Sequence, residues 1–231
     1  MANYYDTWNP ADFNIDANYQ LAIREFTRGQ IQGDVLDAGC GSRIVYSLRD
    51  ASSWNGVDVS EIMTDHAIFS EKPDELEAHF HKADIRALPF ADNSFDTVIV
   101  QFVLHHLGER SRKESFRQVG SALAELKRVT RSGGRILIIE NASGPLEWPY
   151  HQFFPLFWRL GLVFGSRLPF FLRYGQIKQM AKATGLKFVS SVNIPIDEKI
   201  YNPVLKFHVP TFFSSQLFMK MTILLFDMPN E

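Results

Sequence analysis

Apolar positions along this chain follow two rhythms. Short apolar runs end on a polar side chain: 34–38 around Asp37, 54–59 around Asp58, 80–84 up to Asp84, 95–101 up to Gln101, and 134–140 up to Glu140. Such runs read as buried strands. Between them, apolar residues recur every three to four positions. The clearest case predicts a helix over 112–130, with Phe116, Val119, Leu123, Leu126 and Val129 on one face and the Gly133-Gly134 pair as its stop. Further helices are expected over 16–30, where Asp16 would cap, Leu21, Ile23 and Phe26 would face inward and Gly29 would end the run, and over 43–50, 60–70 and 174–184. Strand and helix in alternation make the βαβ rhythm of an α/β fold with a parallel sheet. Two more strands, 186–192 and 217–226, follow the last helix.

Composition narrows the class. The 231 residues are 45% hydrophobic and carry a net charge of −2, enough for one sizeable core. No Lys/Arg-rich run offers a phosphate backbone a basic field, so a nucleic-acid partner is not expected and a small molecule is. The sole cysteine, Cys40, gives no disulfide framework. The first residues lack the charged-then-apolar order of a signal peptide, so the expected location is cytoplasmic.

The chemistry gathers at strand ends. Gly39 and Gly41 directly follow the first strand, where absent side chains let the backbone turn tightly and approach a ligand. Asp58 ends the second strand, 21 positions after Asp37, placed to accept both hydroxyls of a ribose. Asp84 at the next strand tip can accept an adenine amino group while Ile85 covers the ring. In open α/β sheets ligands lie at this carboxyl edge. A dinucleotide reading of the same glycines fails on charge, because Asp37 would face a pyrophosphate and the third glycine of that fingerprint is missing.

These residues resemble the class I S-adenosylmethionine-dependent methyltransferases, including the group of ubiquinone and menaquinone C-methyltransferases. The resemblance covers roughly 33–141 and rests on Val35–Gly41, Gly56–Ser60, Ala83–Asp96, Val103–His106 and Leu126–Glu140. It implies a Rossmann-like, doubly wound, mostly parallel seven-stranded sheet with an antiparallel last strand, in one domain over 1–231. S-adenosylmethionine would be the cofactor, held by Tyr5, Asp37, Gly39, Gly41, Asp58, Val59, Asp84, Ile85 and Gln101. The chain departs from the family's pattern at Ser42-Arg43, and its connection from Gly41 to Asp58 is about two residues short. Tyr4-Tyr5-Asp6 is similar to a Tyr-Asp pair in many relatives, which places Tyr5 over the cofactor.

Methyl transfer from a sulfonium is an in-line displacement that needs orientation above all, and a base only where the nucleophile holds a proton. His106 and His105, just past the fourth strand, are the candidates for that base; otherwise they wall the pocket with Gln101. His79 and His81 lack companions at ligand spacing, so no metal is expected. Residues 142–173 are read as an aromatic lid insertion. Phe153, Phe154, Phe157, Trp158, Phe164, Phe170 and Phe171 leave three readings open: a cap over an apolar acceptor, a membrane-surface patch, or ordinary core. The expected activity is methylation, at oxygen or carbon, of a small, largely apolar acceptor such as a phenol, quinone or natural-product scaffold. The alternative from another class is a non-catalytic S-adenosylmethionine-binding or interaction protein.

Overall fold

A computed structural model describes residues 17–143, 169–195 and 219–230, the helical positions 152, 153, 156 and 159, and the short strands β9 (Tyr201–Asn202) and β10 (Phe207–His208). Seven strands form the main sheet: β1 (Gly33–Ala38), β3 (Ala51–Asp58), β5 (Ala78–Lys82), β6 (Phe95–Gln101), β7 (Thr130–Ser143), β8 (Lys187–Pro195) and β11 (Met219–Asp227). Their order is β5-β3-β1-β6-β7-β11-β8. The first five run parallel, and β11 is antiparallel to both its neighbours. This is the doubly wound sheet the sequence led us to expect.

Alternation along the strands sorts the core onto the two faces. Leu36, Ala38, Val98, Val100, Ile136 and Ile138 point to one side, where α3 (Arg112–Val129) and α4 (Tyr174–Ala183) cover them with Val119, Leu123, Leu126, Ile177 and Ala181. Val35, Trp54, Ile99, Leu137 and Ile139 point to the other, against Ile23 of α1 (Ala17–Thr27). Leu21 of α1 is half exposed and not in that core. Among the described residues, no helix is long and apolar enough to cross a membrane.

Four expectations need correction. Residues 43–50 do not form a helix; Arg43–Ser47 is a strand, β2, and the 60–70 region holds only the one-turn helix α2 (Glu61–Asp65) before the strand β4 (Ile68–Glu71), which pairs with β2 in parallel. Ile44, Val45 and Tyr46 have stiff or bulky side chains that favour a pleated surface over a helical turn, and all three are buried there. Gly133-Gly134 does not end α3. The helix gives way at once to β7, and residues 131–134 bulge out where the pairing jumps from Phe95–Thr130 to Thr97–Arg135. The bulge lets Arg131 reach Asp34 at 2.9 Å and Asp96 at 2.6 Å, tying together the amino ends of β1 and β6. Finally, Phe170 is fully buried and meets Phe116 edge to face, so it is core and not lid.

Candidate functional site

Strand register brings the polar strand ends together. Asp37 lies opposite Gly56 on β3 and Ile99 on β6, Asp58 opposite Lys82, and Gln101 opposite Ile139, all at the carboxyl edge of the parallel strands. The glycine turn is pinned there by Gly39 and Cys40, whose N–H groups donate to the Val57 carbonyl at 2.6 and 3.0 Å. Gly39 takes φ +89° and Gly41 φ +57°, left-handed backbone that glycine adopts without strain. A Cβ at Gly39 would overlap Val103, whereas one at Gly41 would meet nothing within 4 Å. The turn is therefore packed on one side and open on the other.

Asp37 shares a strand face with Val35, and this brings it against Tyr46 of β2. The Tyr46 hydroxyl donates to Asp37 Oδ2 at 2.5 Å and accepts from Trp54 Nε1 at 3.1 Å. Burial pushes the Asp37 carboxyl up to about 7; the Tyr46 bond pulls it down and the Asp58 charge adds to the rise. Its other oxygen, Oδ1, is buried without a partner among the described residues, as are Ser42 Oγ, Ser60 Oγ and Gln101 Oε1. Unsatisfied buried polar atoms are uncommon and call for a cause. Here four of them belong to the glycine turn and the strand ends around it.

Asp58 spans the site. Its Oδ2 accepts from the Gly41 N–H at 3.0 Å and its Oδ1 from the Ser60 N–H at 2.9 Å, with Val59 between. Asp84 is held differently: Arg86 donates from Nε to Oδ1 at 2.8 Å and from a terminal nitrogen to Oδ2 at 2.5 Å, and these bonds lower its carboxyl below the usual range. Ile85 beside it is buried in the α3-side core. Gln101 donates from Nε2 to the Arg43 carbonyl at 3.1 Å, which joins β6 to the start of β2.

Past Gln101 the chain turns sharply. Phe102 takes a left-handed φ of 54°, and a short 3₁₀ turn, Leu104–Leu107, presents the two histidines. Their rings lie 3.9 Å apart. His105 is buried, with Nδ1 2.6 Å from Glu140 Oε1, and its backbone N–H donates to Glu140 Oε2 at 3.2 Å. Burial and the neighbouring His105 hold His106 well below the usual imidazole range. Phe171 stacks on His105 with centroids 5.3 Å apart, and the Phe170 N–H donates to the His105 carbonyl at 2.7 Å. Tyr5 and most of 142–173 lie outside the described residues; Phe153 and Leu156, which are described, are each 54% exposed.

Sequence reasoning missed Tyr46, Arg86 and Glu140. Glu140 had the same signal as Asp37 and Asp58, a carboxylate closing an apolar strand. Its pairing with a histidine 35 positions away depends on β6 and β7 being neighbours.

The comparisons agree with this geometry. A family model described as a methyltransferase domain matches residues 36–138. A ubiquinone/menaquinone biosynthesis C-methyltransferase of Bdellovibrio bacteriovorus is 33% identical over 143 residues, 60% of this chain and 57% of that protein. A demethylmenaquinone methyltransferase of Renibacterium salmoninarum is 38% identical over 77 residues, 32% of this chain and 29% of that protein. The chain thus spans less than two thirds of these relatives. Among solved structures, a geranyl diphosphate C-methyltransferase from Streptomyces coelicolor, with S-adenosylhomocysteine bound, superposes with a TM-score of 0.59 at 13% identity, covering 91% of this chain and 78% of that one. The fold is that of a doubly wound α/β protein with its polar strand ends gathered on one edge of the sheet. Residues 36–138 match a methyltransferase domain, and the fold is shared with a methyltransferase that binds S-adenosylhomocysteine, so S-adenosylmethionine is the cofactor against which the site is tested.

The residues present fit that cofactor. Its ammonium and sulfonium suit the unpartnered acceptors of Asp37 and Gln101, and the open side of Gly41 leaves room beside Asp58 for a ribose. The raised Asp37 carboxyl gives a pH test. In the free protein Asp37 binds its proton up to about pH 7, whereas the unfolded chain releases it near 3.8, so its contribution favours folding at low pH and is lost as pH rises towards 7. Chemical denaturation of wild type and Asp37→Asn should diverge across this window, with the wild type losing relative stability. A cofactor ammonium favours the ionised carboxylate, so binding near pH 6 should release a proton, seen by calorimetry in buffers of different ionisation enthalpy. Buffer-independent heats would show that Asp37 does not meet the ammonium.

Proposed function

We propose that this chain transfers a methyl group from S-adenosylmethionine to a small, largely apolar acceptor of the phenol, quinone or natural-product type, at oxygen or carbon. The observation that carries this reading is the Phe171 ring stacked on His105, beside the strand ends that fit the cofactor. An aromatic face over a histidine suits a flat apolar acceptor and helps to exclude water from it. The aromatic composition of 142–173 supports the same reading through a cap, and the exposed Phe153 and Leu156 leave apolar surface for that role. When bound, S-adenosylmethionine supplies an electrophilic methyl carbon. The protein's own part is to fix the cofactor on Asp37, Asp58 and Gln101, hold the acceptor over His105 and His106, and keep the site dry.

The test is a screen of phenols, hydroquinones and enols for formation of S-adenosylhomocysteine. Turnover of apolar ring compounds supports the proposal. Tight cofactor binding with no turnover of any acceptor would leave a binding protein instead. His106, held neutral, is a pocket wall in this reading, so His106→Ala should raise the acceptor KM about three- to tenfold and change kcat little. A hundredfold fall in kcat at unchanged KM would give His106 the proton transfer.

A further inference from the structure

We infer that Glu140 is a positioning residue that keeps His105 as the base for an acceptor hydroxyl, which makes the acceptor a protic oxygen compound, a phenol or an enol. The inference rests on the methyl-transfer reading above and sharpens it. Glu140 is 1% exposed and sits at the sheet edge on β7, where three N–H groups converge on its carboxylate: His105 Nδ1–H, the His105 backbone N–H, and the Asn141 backbone N–H at 2.8 Å. A carboxylate can only accept, so the imidazole proton resides on Nδ1 and the lone pair on Nε2. The bond to the His105 backbone also fixes where the 3₁₀ turn sits, and the Phe171 stack fixes the tilt of the ring. The carboxylate behind the imidazole thus holds the ring in one tautomer and one orientation.

A ring held in this way at such cost in burial suits removal of a proton. A carbon or tertiary amine nucleophile with its own lone pair or π electrons makes no such demand at the moment of attack; a phenol or enol hydroxyl does. The step balances as follows. The acceptor O–H gives its proton to His105 Nε2, the oxygen forms a bond to the methyl carbon as the carbon–sulfur bond breaks, and the electron pair stays on sulfur. The imidazolium, facing Glu140, then returns its proton to solvent. The titratable groups set against His105 among the described residues are Glu140 on β7 and His106 on its own turn; Phe171 is uncharged.

Two measurements test the pairing. Nitrogen-15 NMR of ring-labelled histidine in the free protein reads the tautomer directly: the inference expects the His105 proton on Nδ1, and a proton on Nε2 overturns it. The second compares phenol with 4-nitrophenol at a pH where the latter is already ionised. Glu140→Gln, nearly isosteric, should lower kcat for phenol about thirty- to a hundredfold and for 4-nitrophenol less than threefold, with S-adenosylhomocysteine affinity unchanged within twofold. Glu140→Asp, which keeps the charge, should recover part of the phenol rate. Equal losses on both acceptors would make Glu140 a structural residue and overturn the inference. Wild-type turnover of carbon or nitrogen acceptors with none of hydroxyl compounds would overturn the acceptor class while leaving methyl transfer intact, and no turnover of any acceptor would remove methyl transfer itself.

Discussion

Gly39→Ala is expected to destabilise the protein by about 2–4 kcal/mol and to remove most of its affinity for S-adenosylmethionine. Two costs combine. A side chain at φ +89° is strained wherever it sits, and this Cβ would also overlap the Val103 side chain. Val103 cannot yield freely, because it leads into the 3₁₀ turn that carries His105. The damage should therefore reach both halves of the site, the glycine turn directly and the histidines through Val103. Urea denaturation and cofactor calorimetry read the two effects. Adding Val103→Ala should restore part of the loss, since it removes the overlap but not the backbone strain. If Gly39→Ala binds cofactor like wild type, the turn does not cradle it.

Asp58→Ala should weaken S-adenosylmethionine about a hundredfold, or ~2–3 kcal/mol, while the protein stays folded. The carboxylate already accepts from Gly41 and Ser60, so its loss both removes a charged acceptor for the ribose hydroxyls and unlatches the glycine turn. Asp58→Asn keeps one oxygen acceptor and should lose closer to tenfold. Unchanged affinity in a folded Asp58→Ala protein would mean that the ribose lies elsewhere.

Strand β6 was legible at its stated ends because its apolar run opens after the polar turn Asp92-Asn93-Ser94 and closes on Gln101, and α3 because five apolar residues mark one face. The positions of the glycine turn, Asp37 and Asp58 at the carboxyl edge were legible for the same reason, because they follow from local sequence; Asp84 instead lies two residues past β5, which ends at Lys82. Residues 43–50 were read as a helix because the βαβ rhythm demands one, against the β-favouring Ile44-Val45-Tyr46 run that prevailed. Pairings across the sheet were not legible. Tyr46 on Asp37 follows from that unexpected strand, and Glu140 on His105 from a neighbour relation no local pattern encodes. Asp84 was read as an open acceptor, yet Arg86 two residues on engages both its oxygens.

Strand β2 has one more effect. In dinucleotide-binding folds the helix after the glycine turn aims its free N–H groups and the positive end of its dipole at a phosphate. Here a strand stands in that place, and strands sum to little net dipole. Phosphorylated nucleosides thus lose the feature that would draw them in, while the Asp58 carboxylate repels them. In the proposed role, the site would tell a cationic nucleoside from an anionic one largely by what it leaves out.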